Sequence, residues 1–388
     1  METPFVYDRY VTGKNFIGRR GESMTLANLL SAGENVCIYE PPKSGKMSLV
    51  EQTLFNMRVR GEHFLVAEVD LLDVRSCGAL LRRWAGAVMR CYAATPAEYA
   101  ALAQTHLAGE HLLFDEEAYQ LRDEVLSVAG EPDENDIRAV LALPYALARG
   151  GESRLVVLVS EFQNIEFCPE GERIFKILES VFSSVSDSAQ NKSCQMILCG
   201  SRVNAMKEIF EHRKFFYRQV EHLPLQKVEE KEIIDHIIKG FLSSGKVIDR
   251  NLLYGVCRLF DNNLWYINHF TSICDSLSKG YIMEPVLIDA LDMLMSIHEP
   301  RFIAAMDSLT TFQVNLLRAV VEGHTKFSSS EVIARYGLNS SANVRRLKDA
   351  LCKKEILTFD EQDEPWIMDP LFKYWVMKKY FRMKVELQ

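Results

Sequence analysis

The sequence of 388 residues lacks the features of membrane, secreted and metal-cluster proteins. No apolar run approaches the roughly 20 residues that a membrane-spanning helix needs, and METPFVYDRY has neither the basic nor the apolar part of a signal peptide. The nine cysteines form no C-x-x-C pair and no Cys/His cluster at metal-ligand spacing. We therefore expect free thiols, no structural metal, no membrane partner and a cytoplasmic location.

The chain also has no excess of basic residues. Its formal net charge of −8 argues against a general polyanion binder, although a local basic face remains compatible with it. The hydrophobic fraction of 48% and charged fraction of 25% are typical of a globular protein, and the length allows two or three domains.

Short apolar runs alternate with helical patterns between about residues 34 and 210. The runs are NVCIYE, HFLVAEVD, RLVVLVSEF and CQMILCGS. Each is apolar for several residues in succession, as expected of strands buried on both faces of a parallel α/β sheet. Between the second and third runs we predict a helical insertion at about 93–133, after which Asn135 or Asp136 caps the next helix.

The second half of the chain is predicted to be mostly helical. Residues 226–304 have helical patterns throughout, and the rest gives three helices, a polar hairpin and a last helix, which is the plan of a winged helix. We predict three domains: an α/β core at 1–225 with an N-terminal arm at 1–33, a helical lid at 226–304, and a winged-helix domain at 305–388.

The segment CIYEPPKSGKMSLVEQ has features of a phosphate-binding loop. Such a loop needs a strand, a tight turn whose N–H groups face the anion, and a helix N-terminus. Gly45 and Lys46 stand in that setting, whereas Glu40 replaces the first glycine and Met47 replaces the hydroxyl residue that binds Mg²⁺. The alternative is a Gly-Lys pair that follows a strand by chance. The candidate nucleotide-binding residues of the loop are Pro42, Lys43, Ser44, Gly45, Lys46, Met47 and Ser48.

Two further predicted strands end in polar residues. RLVVLVSEFQNI has the form of a strand that ends in an acidic pair, in which Asp holds hydrated Mg²⁺ and Glu polarises the attacking water. Ser160 replaces the Asp, and Glu161 remains as the candidate catalytic residue. The strand CQMILCG is followed by Ser201, where such ATPases place a polar group facing the γ-phosphate. Each could be an ordinary buried strand, but the three motifs in this order favour a P-loop NTPase core.

Together these motifs resemble the archaeal-type ATPases, a bacterial and archaeal family of ATP-binding proteins related to the signal-transduction ATPases of the AAA+ superclass. PPKSGKMSLV is similar to the family's P-R-R-x-G-K-[ST]-S-L, VVLVSEFQNI to V-x-x-I-D-E-F-Q-x-I, and ILCGSRVNAMKEIF to F-x-G-S-x-x-x-x-M-x-x-x-F. Phe162, Gln163 and Met206 make the resemblance specific, and it extends over most of the chain. It implies an AAA+-like α/β fold with ATP or ADP as cofactor.

By the same resemblance Phe16, Ile17 and Arg19 would cover the base, although Phe16 and Ile17 could equally be core residues that anchor the arm. Met47 and Ser160 occupy the family's two Mg²⁺-binding positions, and neither a thioether nor a neutral hydroxyl suits a hard cation. We therefore predict degenerate motifs with doubtful Mg²⁺ binding and weak or absent hydrolysis. Whether the chain is an enzyme stays open.

The predicted third helix of the winged helix carries a basic face. Asn343, Arg345 and Arg346 could contact DNA, but the wing is acidic around Asp360 and Asp363. Three functions stay open. We favour a nucleotide-binding regulatory or signalling switch; the alternatives are a winged-helix DNA-binding regulator and a nucleotide-free interaction scaffold with a protein partner.

Overall fold

The computed structural model describes residues 4–107, 111–151, 153–186 and 193–384. They form two compact units. The first contains the described parts of Met1–Arg19, Pro41–Gln52 and Gln226–Gln388, and the second contains those of Arg20–Glu40 and Thr53–Leu225. The phosphate-loop segment thus belongs to the same unit as the C-terminal half of the chain. None of the helices in the described residues has the length and apolarity needed to cross a membrane.

The second unit is built on a parallel sheet. Its strands, within the described residues, are β1 (Asn35–Tyr39), β2 (Phe64–Asp70), β3 (Leu112–Leu113), β4 (Ser127–Val128), β5 (Arg154–Ser160), β6 (Cys194–Gly200) and β7 (Val220–His222). Five of them pair in the order β2-β5-β6-β1-β7, all in parallel. Every residue of β1 and β6 is buried, as their uninterrupted apolar runs predict. The predicted parallel α/β sheet is confirmed.

The second unit also contains helices. They are α1 (Arg20–Ala32), α3 (Cys77–Met89), α4 (Pro96–His106), α5 (Glu116–Arg122), α6 (Glu134–Gly150), α7 (Gly171–Ser186) and α8 (Val203–Lys207). A further helix, α2 (Lys46–Val59), begins in the first unit and ends in the second. A 3₁₀ segment, Phe162–Phe167, follows β5, and a π-helical turn, Glu208–His212, follows α8. Because the sheet is parallel, the carboxyl ends of β1, β5 and β6 lie at one edge, where ligands of open α/β sheets bind.

The insertion between β2 and β5 differs from its prediction in two ways. It is not helical throughout, because β3 and β4 pair as a short antiparallel ribbon between α4 and α6. The N-cap of α6 is Asp133, whose side chain accepts hydrogen bonds from the N–H groups of Asn135 and Asp136. The prediction of Asn135 or Asp136 as the cap was wrong because the helix begins at Glu134, before either residue.

The first unit is mainly helical. Its elements are α9 (Glu230–Ser243), β8 (Val247–Ile248), α10 (Arg250–Leu259), α11 (Leu264–Leu277), β9 (Tyr281–Ile282), α12 (Glu284–Asp307), α13 (Thr311–Val321), α14 (Ser330–Tyr336), α15 (Ser341–Lys353), β10 (Leu357–Phe359), β11 (Pro365–Ile367) and α16 (Pro370–Trp375). A 3₁₀ turn at Gly13–Asn15 and a π-helical turn at Val376–Tyr380 complete it.

The last four helices and the hairpin form a winged helix. Each of the four helices begins after a residue whose side chain accepts a hydrogen bond from a backbone N–H group of the first turn, and these N-caps explain where the helices start. The N-cap residues are Thr310, Ser329, Ser340 and Asp369. β10 and β11 pair in antiparallel fashion as the wing. The predicted order of three helices, a hairpin and a last helix is confirmed. The division into three domains at 225 and 304 stays a prediction, and α12 continues through residue 304.

The N-terminal arm is part of the core of the first unit. Phe5 is fully buried, and its ring contacts Phe241 of α9 at a centroid distance of 4.8 Å. Gly240 leaves the room for that ring, because a Cβ atom there would lie 2.4 Å from Phe5 Cε1. Asn268 of α11 donates a further hydrogen bond to the carbonyl of Val6. The arm is therefore fixed to α9 by packing and to α11 by hydrogen bonding.

Candidate functional site

The loop between β1 and α2 has a backbone suited to an anion. Lys43 and Gly45 both adopt left-handed conformations, with φ of 67° and 88°. Backbones that alternate in this way turn successive N–H groups to one side and make a concave anion-binding surface, to which a helix N-terminus adds positive potential. α2 supplies that N-terminus at Lys46. A left-handed lysine costs of order 1–3 kcal/mol, and such strain concentrates at ligand sites.

Lys46 is buried although it carries a charge. Its side chain is only 8% exposed, and Nζ donates to the Pro41 carbonyl at 3.0 Å and to the Ser44 hydroxyl at 3.5 Å. Buried ammonium groups are rare unless polar groups hold them. The Lys46 ammonium is therefore held against the main chain of its own loop.

The N-terminal arm fastens the loop from one side. Arg19 donates from its guanidinium to the Ser44 carbonyl at 2.9 Å. The N–H of Val11 donates to the Ser48 hydroxyl at 3.1 Å, so this hydroxyl is used to hold the arm. Phe16 and Ile17 are half-buried in the same arm. Their contact with a base stays a prediction.

α11 also reaches the loop, which the sequence did not predict. The Lys43 ammonium lies 3.6 Å from the centroid of the Trp265 ring and 5.7 Å from that of Tyr266. Burial, and to a smaller extent the Arg301 guanidinium, lower the pKa of Lys43 to about 8, while the Asp369 carboxylate opposes them. Within the described residues, no carboxylate forms an ion pair with Lys43.

Two buried histidines lie next to this lysine. The His269 ring stacks on Tyr7 at 4.1 Å and lies 5.6 Å from the His298 ring. Burial, with a smaller effect of nearby cations that include Lys43, lowers the pKa of both imidazoles to about 4. His269 Nδ1 and His298 Nε2 have no hydrogen-bond partner in the described parts of the chain. Both rings are neutral at pH 7.

Three groups connect α11, α12 and α16. The Tyr266 hydroxyl donates to Asp369 at 2.8 Å, and Arg301 donates to the same carboxylate at 2.8 Å and to the Tyr266 oxygen. The Asp369 carboxylate also caps α16 by accepting the N–H groups of Leu371 and Phe372. The neighbour of Trp265 is thus joined directly to the last helix of the winged helix.

The acidic strand end belongs to the second unit. Glu161 follows β5 in a left-handed conformation with φ of 54°. Its Oε2 accepts hydrogen bonds of 2.6 Å from the Ser201 hydroxyl and from Gln163 Nε2. A Cβ at Gly200 would lie 2.4 Å from Met206 Cγ, so glycine is required there for close packing. Of the residues that make the family resemblance specific, Gln163 therefore orients the Glu161 carboxylate, together with the Ser201 hydroxyl.

Ser160 has a different partner from the one a metal site would need. Its hydroxyl donates to Asp70 at 3.2 Å, because the ends of β5 and β2 lie side by side. Asp70 was not identified from the sequence as a partner of Ser160. The donor set of Met47 and Ser160 does not fit Mg²⁺.

Glu40 has a structural use. Its carboxylate accepts the N–H of Leu225 at 3.2 Å, and its own N–H donates to the Gly200 carbonyl at 3.3 Å. One carboxylate oxygen is therefore engaged with the chain that follows β7. This contact accounts for a side chain at a position where phosphate loops usually carry glycine.

A cluster of possible metal ligands also escaped the sequence reading. His111, Asp133 and Asp136 bring three ligand atoms within 4.8 Å of one another in the insertion. Both carboxylates already take part in the cap of α6, and His111 lies 2.9 Å from Asp136. The helix cap explains why these groups lie together.

The basic face of α15 is smaller than its sequence indicates. Asn343 donates its side-chain amide to the Leu338 carbonyl at 3.0 Å. Lys348 forms an ion pair with Asp363 of the wing and lies 4.0 Å from the centroid of Phe359. Arg345 and Arg346 remain exposed.

Comparison with solved structures identifies the architecture. The Walker-type ATPase PABY2304 of Pyrococcus abyssi has a TM-score of 0.63 at 14% identity, covering 96% of this chain and 99% of that one. The ORC2 protein of Aeropyrum pernix, solved as ADPNP–ADP complexes, has a TM-score of 0.56 at 15% identity, covering 92% and 93%. The fold is that of the AAA+-type P-loop ATPases. The fold expected from the motifs is confirmed.

The C-terminal part is matched independently. Residues 300–378 match a family described as a probable winged helix domain. No curated protein matches the chain in sequence. The AAA+-like fold thus carries a winged helix at its C-terminal end, while the roles of individual residues stay predictions.

Proposed function

We propose that this chain binds ATP or ADP through the loop Pro42–Ser48 and acts as a regulatory switch with weak or absent hydrolysis. The observation that carries the proposal is the loop itself. It combines left-handed Lys43 and Gly45, a helix N-terminus, and a buried Lys46 ammonium. These are the parts from which proteins build polyphosphate sites. The related fold of the Aeropyrum pernix protein, solved with ADPNP and ADP, supports the choice of ligand.

Weak hydrolysis follows from the donor set. A bound Mg²⁺ neutralises charge that develops during phosphoryl transfer, and its loss costs several kcal/mol of barrier. Each 1.4 kcal/mol is about a tenfold loss of rate. Met47 offers a thioether, and the Ser160 hydroxyl is engaged by Asp70. Glu161 is the residue proposed to polarise water, but this role alone would not offset the missing charge compensation.

A switch role is supported by the place of the loop in the fold. Residues Pro41–Gln52 belong to the same compact unit as the lid helices and the winged helix. A ligand that reorganises the loop therefore acts on the unit that presents the C-terminal surface to a protein partner.

Equilibrium binding of a fluorescent ATP analogue tests the proposal. The wild-type chain should bind it, Lys46→Ala should weaken binding by at least about tenfold, and Lys279→Ala, which removes an exposed lysine, should bind as wild type. Equal binding by the wild-type and Lys46→Ala chains would overturn the assignment of the loop. The nucleotide-free scaffold would then be the better account.

DNA binding is a second candidate, supported by the winged-helix match and by the exposed Arg345 and Arg346. Phosphate contacts need several free cations on one face. Lys348 is held by the wing, which leaves a small basic surface. We therefore keep DNA as the alternative partner.

A further inference from the structure

Lys43 differs from Lys46, the other cation of the loop, in its contacts. Its ammonium lies over Trp265, has no carboxylate partner among the described residues, and belongs to a strained left-handed residue. A cation–π contact at a half-buried site is weaker than a charge-assisted hydrogen bond to phosphate. Lys43 therefore rests in a contact that a polyphosphate can replace.

We propose that Lys43 takes over the charge compensation that Mg²⁺ cannot supply here. In the nucleotide complex its ammonium moves away from the Trp265 ring and contacts the terminal phosphate. This loss of the contact between Lys43 and Trp265 is the signal passed to the winged helix. The inference rests on the proposed nucleotide site. In this account Lys43 recognises the triphosphate without a metal, and the environment of Trp265 changes when nucleotide occupies the loop.

The path of the signal follows contacts within one unit. Trp265 is adjacent to Tyr266, whose hydroxyl is bonded to Asp369 and Arg301. Asp369 caps α16, which carries Trp375. When the ammonium leaves Trp265, Lys43 no longer repels Arg301 or attracts Asp369. The electrostatic environment of the hydrogen bonds among Tyr266, Arg301 and Asp369 therefore changes. Trp375 therefore reports the same event from the winged helix.

The contact also gives a measurable pH dependence in the absence of nucleotide. The groups around Lys43 are Tyr7 of the arm, Tyr266 and His269 of α11, His298 and Arg301 of α12, and Asp369 at the start of α16. Burial lowers the pKa of both histidines to about 4 and raises that of Tyr266. Lys43, whose pKa is lowered to about 8, is therefore the group expected to change charge between pH 7 and 9.

Fluorine NMR of the full chain labelled with 5-fluorotryptophan tests the inference. The chain has four tryptophans, and Trp265→Phe assigns the resonance of interest. In the free protein the Trp265 resonance should titrate with a midpoint near pH 8, and this titration should vanish in Lys43→Met. ATP added in EDTA at pH 7 should move the Trp265 and Trp375 resonances, but not that of Trp84 in the core of the second unit.

Affinity measurements complete the test. Lys43→Met should bind ATP about tenfold more weakly than wild type in EDTA, with Lys43→Arg restoring affinity and Lys279→Met serving as the matched control. If wild type binds ATP while the Trp265 resonance neither titrates nor moves, the inference is overturned and the nucleotide site stands. If ATP does not bind under any condition, the proposed function and this inference both fail.

Discussion

The Ser160 hydroxyl donates a hydrogen bond to the Asp70 carboxylate at 3.2 Å. The position at which the resembled motif carries a Mg²⁺-binding carboxylate is thus paired with a carboxylate on the neighbouring strand. An aspartate at 160 would face Asp70 directly, and two carboxylates at such distance raise the pKa of one of them. A neutral hydroxyl at position 160 avoids this repulsion and donates a hydrogen bond to Asp70 instead.

Restoring the metal site should need both ligand changes, and removal of the Asp70 charge should add to their effect. Met47→Thr with Ser160→Asp should raise Mg²⁺-dependent ATP hydrolysis, and Asp70→Asn should increase the gain to at least about tenfold over wild type. Either ligand change alone should do little, since one ligand leaves the site incomplete. Steady-state phosphate release is the measurement. A triple variant that binds ATP with Mg²⁺ but does not turn over would place the defect in the lid or at Glu40.

Two helix glycines test the packing of the N-terminal arm. Gly240→Ala should destabilise the first unit by about 1–3 kcal/mol, because its Cβ would meet the Phe5 ring at 2.4 Å. Gly255→Ala in α10 has open space and should be neutral or stabilising by up to about 1 kcal/mol. Denaturant unfolding compares the pair, and equal effects would show that Phe5 does not fill this position.

The buried histidines predict how stability depends on pH. His269 and His298 have a folded-state pKa of about 4, below the ordinary 6.5, so between these values the unfolded chain binds more protons. The free energy of unfolding should therefore fall as pH decreases from 7 to 5. In the double variant His269→Phe, His298→Phe, the free energy of unfolding should fall less between pH 7 and 5 than in the wild-type chain. The difference should be about 1–2 kcal/mol for each histidine replaced. His63→Gln, at an exposed position, is the control and should leave the slope unchanged.

Salt dependence separates the two uses of the winged helix. If α15 contacts DNA, Arg345→Ala with Arg346→Ala should reduce the logarithmic salt slope of binding by about one to two units. We expect instead that the wild-type chain binds random duplex weakly and that the variant behaves the same. A tight complex at near-physiological salt that this variant abolishes would favour the DNA-binding regulator.

Much of the fold was predictable because its signals are local. Uninterrupted apolar runs predicted β1, β2, β5 and β6, and three helical patterns followed by a polar hairpin and a last helix predicted the winged helix. β7 is three residues long and was not predicted from Val220–His222. Neither was the β3–β4 ribbon, whose two-residue strands have no detectable period.

The candidate site was predictable only where a motif defines it. The loop and Glu161 were found in this way, whereas the contacts of Lys43 with Trp265 and of Ser160 with Asp70 were not. Such pairs join residues far apart in the chain, and no periodicity specifies which side chains will meet. Asn343 was named as a possible DNA contact, whereas its amide is bonded to the Leu338 carbonyl within the turn before α15.

Metal-independent nucleotide binding is the central claim, and the most direct measurement is ATP affinity together with phosphate release, each in Mg²⁺ and in EDTA. Because Met47 and Ser160 offer no ligand suited to Mg²⁺, the dissociation constant should change by less than about threefold and turnover should be negligible in both. Tight binding that requires Mg²⁺, with brisk phosphate release that EDTA abolishes, would contradict the account.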